Sequence, residues 1–376
     1  MKEKYIIIFT IFISLYSLIN YYIGKVIFKN INYFFNISPL IFWTFFWMLA
    51  FSYIISIISN KFLSYKIIDL FSLIGAYWLG LIMYSLLTFP LLSLLNYILK
   101  KSFYFNNEIY KFEAILITLL LFIILLIGNY NAKHSYVKTF DIKLHNKNLE
   151  YPLNIVMVSD IHLGNIVKNN RLKNMVIEIN KLNPDIIIIA GDIIDSDINP
   201  FLNNNMAIEF SKLRSKYGTF ATLGNHDILT KSEEKIVNIL NENSVKVLRD
   251  EAILINDSFY IIGRDDISVD KLNNKPRLSL NDLTINLDKN KPLILIDHNP
   301  KYVNESLDNN IDLQLSGHTH KGQISPGNIV TNKLFDIHYG YLKKDSLNVV
   351  VSSGYGTWGP PLRLGSKSEI VQINLK

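Results

Sequence analysis

The pattern of apolar and polar positions changes about a third of the way along the chain. Up to residue 130, apolar residues run almost unbroken in stretches of span length; beyond it, short β-branched runs alternate with amphipathic segments and Asn-rich polar loops. The first region predicts a bundle of about four transmembrane helices, at 5–23, 39–58, 67–99 and 112–127. A bilayer core of roughly 30 Å takes about 20 apolar residues in a helix, and each stretch approaches or exceeds that. Trp43 and Trp47 stand where the second span would meet an interface. The stretch 67–99 is longer than one crossing needs and contains Pro90, which predicts either one tilted, kinked helix or a crossing followed by a re-entrant piece. Lys133, Lys138, Lys143 and Lys147 then mark the return to water, so 131–151 reads as a linker and 152–376 as a separate domain.

Beyond the linker, strands are expected at 153–158, 185–190 and 219–223, with helices at 171–182 and 203–216 between them, which is a βαβ alternation with parallel strands. After a helix at 232–243, strand-like runs dominate, at 252–255, 259–262, 293–296, 313–315, 349–352 and 370–375. A second, mixed sheet packed on the first accommodates them. The architecture expected is therefore α/β.

Composition changes the picture in two places. The net charge of +6 is spread over both halves with no long basic block, so it indicates a solvated surface and no nucleic-acid partner. The absence of cysteine excludes disulfides, thiolate metal ligands and a cysteine nucleophile. Charge also bears on topology. Four crossings place the two ends of the bundle on one side, and Lys2, Lys4, Lys61, Lys66 and the four linker lysines outnumber Lys25, Lys29, Lys100, Lys101 and Lys111 on the other. The positive-inside rule then puts the C-terminal half in the cytoplasm, on a multi-pass cell-membrane protein; a double crossing by 67–99 would reverse this.

The candidate chemistry sits at the ends of the predicted strands. The run IVMVSDIHL ends on Asp160 and His162; GDIID supplies Asp192 and Asp195; GNHD supplies Asn225, His226 and Asp227; LILID is followed by His298; and GHTH supplies His318 and His320. Each cluster alone has an ordinary reading as a turn or a helix cap. The GHTH pair is the most specific, because imidazoles two apart in an extended segment project to the same side. All five in succession, each behind an apolar run, place the clusters on one rim, where open α/β sheets bind their ligands. Oxygen and imidazole donors without thiolate suit Mn, Fe or Zn.

The order DxH, GDxxD, GNHD, H and GHxH resembles the calcineurin-like metallophosphoesterase superfamily, over about residues 152–376. The closing GHTHKGQ and SSGYGTWGPPLRLGSKSEI resemble its bacterial, membrane-associated YkuE-type branch. The resemblance implies a four-layer αββα sandwich with two divalent metal ions at the strand ends. By motif position, Asp160, His162 and His320 would hold the first ion, Asn225, His298 and His318 the second, and Asp192 would bridge them. A metal-activated water would attack a phosphoester substrate; His226 would be the general acid, oriented by Asp195. Lys321, where the family often has glycine, and Arg363 near the family's C-terminal PxR are candidate phosphate contacts. The function implied is a membrane-anchored phosphoesterase acting on a phosphodiester, pyrophosphate or phosphomonoester, with an amphiphilic substrate compatible with so large an anchor. Two alternatives stand beside it: a catalytically silent scaffold that uses the fold for binding, and a soluble regulatory domain on a membrane sensor.

Overall fold

The structure is a computed structural model that describes residues 2–59, 62–100, 107–144, 147, 149, 151–272 and 276–376. Lys61 and Lys101, used in the charge count above, lie outside the described residues. The chain divides into two compact units, residues 1–127 with 359–361, and residues 128–358 with 362–376.

The first unit is helical: α1 (Lys2–Asn32), α2 (Pro39–Ile58), α3 (Tyr65–Leu99) and most of α4 (Asn107–Lys133). Within these, Tyr5–Asn32, Pro39–Ile58, Tyr65–Leu99 and Glu108–Lys133 are long and apolar enough to cross a membrane. The third stays helical through Pro90, so it is one element of 35 residues and not a broken pair. Gly75 lets α3 approach α2, since a Cβ there would collide with the backbone of Tyr53. Deeper in the bundle, the Trp78 indole donates to Asn20 Oδ1 at 2.8 Å, which satisfies a wholly buried amide in apolar surroundings.

Among the described residues, the second unit has twelve strands in two six-stranded sheets. These are β1 (Tyr136–Ile142), β2 (Leu153–Val158), β3 (Ile186–Ala190), β4 (Thr219–Thr222), β5 (Val245–Val247), β6 (Glu251–Ile255), β7 (Phe259–Gly263), β8 (Leu293–Ile296), β9 (Leu313–Ser316), β10 (Gly340–Lys344), β11 (Leu347–Val351) and β12 (Glu369–Leu375). The first sheet runs β1-β12-β2-β3-β4-β5, with β2 to β5 parallel; the second runs β10-β11-β9-β8-β7-β6, with β7, β8, β9 and β11 parallel and the outer strands antiparallel. Ile155, Met157, Ile188, Ile261, Ile296 and Leu315 meet in a core between the sheets. The opposite face of the first sheet carries α5 (Asn169–Lys181), α6 (Asn199–Asn203), α7 (Asn225–Leu229) and α8 (Glu233–Glu242), packed through Leu172, Met175, Phe201, Ile228 and Ile236. The outer face of the second sheet is covered through Leu280, Leu283 and Val303. The result is the four-layer αββα sandwich.

Three expectations change. Residues 131–151 are not all linker: α4 continues to Lys133, and β1 pairs in parallel with β12, Tyr136 opposite Glu369. Its mostly exposed side chains explain why no apolar run announced it. The helix expected at 203–216 is instead the short α6 and a 3-10 turn at Met206–Lys212, because Asn205 adopts a left-handed backbone (φ 47°) and interrupts it. GNHD is not only a turn but the opening of α7.

Candidate metal centre

Every cluster singled out in the sequence leaves the C-terminal end of a parallel strand, β2, β3, β4, β8 or β9, and the five ends converge. Backbone bonds tie the neighbouring loops together: Asp160 N donates to Gly191 O, His162 N to Asp192 O, Leu163 N to Ile193 O, and Gly317 N to His298 O, all at 2.9–3.0 Å. Asp160, His162, Asp192, His318 and His320 all have φ between 50° and 70°. A left-handed backbone at non-glycine residues costs of order 1–3 kcal/mol each and persists where surrounding structure enforces it, as functional sites do. Here the turn at each strand end swings the side chain back over the rim.

Two groups of donors result. In the first, His320 Nε2 lies 3.0 Å from His162 Nε2 and 3.3 Å from Asp160 Oδ1. In the second, His298 Nε2 lies 3.2 Å from Asp192 Oδ2, and His318 Nδ1 is 2.8 Å from Asn225 Oδ1. Asp192 stands between them, its Oδ2 also 3.8 Å from His162 Nε2. Asp160, His162 and His320 form one cluster of compact donor atoms, and Asp192, His298 and His318 another.

Burial and close contact set the protonation of the donors. Burial pushes His162 down to about 4 and His320 well below its ordinary value, so both imidazoles are neutral and each keeps one nitrogen lone pair. His298 donates from Nδ1 to Ala190 O at 2.7 Å, which turns its buried Nε2 toward Asp192 Oδ2 at 3.2 Å; burial opposes charge on this ring, but Asp192 holds it well above its ordinary value. Burial alone would raise Asp192, but the His298 imidazole facing it, with a smaller contribution from His226, holds it well below the carboxylate range. Metal–nitrogen bonds of about 2.0–2.1 Å at right angles bring neighbouring donor atoms to about 3 Å of one another. The spacings above match that, so the donor set fits divalent metal.

A third group lies beside these. His226 Nδ1 is 3.4 Å from Asp195 Oδ1 and 3.1 Å from Ser196 Oγ, and its ring meets that of His162 edge-on at 4.7 Å. Burial opposes charge on both partners, yet their mutual contact prevails: Asp195 is held below its ordinary value and His226 above it. Trp358, an exposed ring 5.8 Å from His226, was not singled out by any motif.

The layer behind the site corrects two expectations and adds one residue. Arg363 has no exposed surface; its guanidinium donates to the carbonyls of Gly354, Gly356 and Lys367, with Nη2 3.4 Å from His320 Nδ1. Placed there it supports the GHTH loop from behind. The Lys321 ammonium rests 4.3 Å over the Tyr339 ring, neither in open solvent nor among the donor groups. Asp227, to which the sequence assigned no role, is fully buried and accepts from Gly224 N (2.9 Å), Ile193 N (3.1 Å) and Ile194 N (2.8 Å). One carboxylate thus bolts the GDIID loop to the start of α7. The available signal was an acid three residues after a helix-capping glycine. Glycine is required at both loops, because a Cβ at Gly224 would collide with Asp192 Oδ1 and one at Gly317 with Asp160 Oδ2.

Comparison with known proteins agrees with this geometry. The family model described as calcineurin-like phosphoesterase matches residues 153–322. An uncharacterized metallophosphoesterase of Campylobacter jejuni is 35% identical over 267 residues, 70% of each chain. The chain belongs to the calcineurin-like phosphoesterase family. An uncharacterized metallophosphoesterase of Aquifex aeolicus is 29% identical over 68% of this chain and 98% of its own. A relative in Danio rerio, named as a transmembrane protein with a metallophosphoesterase domain, is 28% identical over 81% of this chain and 72% of its own. Family membership makes a phosphoric-ester hydrolase the class of activity to test, and this member combines that fold with four helices of membrane-spanning length.

Proposed function

We propose that the protein is a membrane-anchored phosphoesterase with two divalent metal ions, and that it hydrolyses a phosphodiester, pyrophosphate or phosphomonoester bond. The observation that carries this reading is the pair of buried, neutral imidazoles, His162 and His320, whose nitrogens face each other at 3.0 Å beside Asp160. Asp160, His162 and His320 hold one ion, Asn225, His298 and His318 the other, and Asp192 lies between. Such a pair supplies an activated water and offsets the charge of the reacting phosphoryl group.

The chain's own part is positioning and proton transfer. Ala190 O fixes the His298 tautomer, and Asp227 holds the loops that carry Asp192 and Asn225 in register. His226, raised in basicity by Asp195, keeps a proton available to the leaving oxygen. The apolar helices favour an amphiphilic substrate, and the lysine distribution favours a cytoplasmic catalytic half.

His226→Ala tests the assignment. Both metals stay bound, and the rate falls by about 10²–10⁴-fold, the range for a positioned general acid. The loss is much greater on an alkyl ester than on a nitrophenyl ester, whose leaving group departs without a proton. An equal loss on both, with metals retained, reassigns His226 to phosphate binding.

A further inference from the structure

The helical unit holds a feature that the phosphoesterase reading leaves unused. α2 packs closely along α3 and α1 approaches both, whereas α4 comes as close to none of them. The gap is a groove of about 730 Å³, almost wholly apolar, with Ile27 and Ile31 of α1, Phe34 just beyond it, Leu81 and Phe89 of α3, and Ala114 and Phe122 of α4 in its walls. It follows α4 from Ala114 to Leu125, about 16 Å of helix, close to half of a roughly 30 Å hydrocarbon core. A lipid tail entering from one face has that reach.

The mouth of the groove is cationic. Lys29 Nζ lies 5.1 Å from the centre of the Tyr110 ring and 6.0 Å from that of Tyr33; Lys100 Nζ lies 5.3 Å from the same Tyr110 ring, and the two tyrosines stack at 5.8 Å. Tyr110 is one turn before Ala114, and Lys29 and Tyr33 flank Asn30, another groove residue. Neither ammonium has a carboxylate within ion-pair distance among the described residues: Glu108 pairs with Lys111, and Glu113, which accepts from the Asn96 amide, acts on Lys100 only at longer range. Two ammonium groups beside aromatic rings, at the end of an apolar slot in a membrane helix bundle, match a phosphate headgroup above an acyl chain.

We propose that a phospholipid with an anionic headgroup occupies this groove, its phosphate between Lys29 and Lys100 and one acyl chain between α1, α3 and α4. The lipid fills the space that α4 leaves and fastens α4 to the other three helices. The proposed site lies within the helical unit and uses none of the metal-donor residues.

The test is native mass spectrometry of the full chain after equilibration with equal amounts of phosphatidylglycerol and phosphatidylcholine. Wild type retains one phosphatidylglycerol, preferred about 30-fold, from about fivefold for each basic residue facing an anionic headgroup. Lys29→Gln with Lys100→Gln brings the preference near unity. Thr118→Phe, which fills the groove without touching the lysines, lowers retention of both lipids at least tenfold. Circular dichroism shows that the variants are folded. Equal retention of the two lipids by wild type, an unchanged preference in the double lysine variant, full retention in Thr118→Phe, or a lipid-free dimer would each overturn the proposal.

Discussion

Asp227→Ala isolates the part of the site that the motifs do not explain. The substitution leaves three buried backbone donors, those of Gly224, Ile193 and Ile194, without their acceptor. An unsatisfied buried donor costs about 1–3 kcal/mol. The three share one carboxylate and relax together, so the expected loss is nearer 3–5 kcal/mol than their simple sum. For a domain of this size, each kcal/mol lowers the melting temperature by about 2–4 °C, so the sandwich melts about 6–20 °C lower. Asp227→Asn gives little relief, because its amide turns a donor towards at least one of the same N–H groups. The consequence reaches the metals through geometry: the loop from β3 carries Asp192, and the start of α7 carries Asn225 and His226. Differential scanning calorimetry of metal-loaded protein, with metal analysis of the same samples, reads both effects. A melting shift under about 2 °C with unchanged metal content would refute the claim that Asp227 holds the two loops together.

Two further outcomes follow from the structure. Arg363→Lys cannot reproduce the guanidinium's bonds to Gly354, Gly356 and Lys367, so it lowers stability by about 2–4 kcal/mol and weakens the metal at His320, while KM for a phosphoester is unchanged at full metal loading; a raised KM with normal stability would return Arg363 to the substrate. Because the chain has no cysteine, single cysteines report topology directly: with four crossings, Ser64→Cys and Lys138→Cys are labelled from the same side and Asn36→Cys from the other. Labelling of Ser64 and Lys138 from opposite sides shows a different number of crossings.

Much of the architecture was legible because burial writes itself into apolar runs. β3 and β8 are buried on both faces and appear in the sequence as short blocks of Ile and Leu, and β2 and β9 are largely apolar runs with a polar residue inside; each ends at a polar cluster. β1 and β10 were not visible, since sheet-edge strands with largely exposed or half-exposed side chains need no such block. β5 has only three residues, too few for a period to show. The donor residues were legible because their types are rare and their spacing repeats the strand-end pattern. What the sequence could not carry is orientation behind the site. Asp227 looked redundant because its partners are backbone N–H groups, which leave no mark on composition. Arg363 read as a candidate phosphate contact because the carbonyls that bury it come from loops folded back over it, which the sequence does not display. The interruption at Asn205 turned on one left-handed residue in an Asn-rich run that gave no apolar signal.

The most direct test of the central claim is the metal stoichiometry of the purified full chain, measured alongside hydrolysis of bis-(4-nitrophenyl) phosphate, for wild type and Asp192→Asn. The account predicts two divalent ions per wild-type chain, activity that a chelator removes and added Mn, Fe or Zn restores, and loss of both metal and most activity in Asp192→Asn, because that carboxylate stands between the two donor groups. Full hydrolytic activity in metal-free protein, or in an Asp192→Asn variant with unchanged metal content, would contradict it.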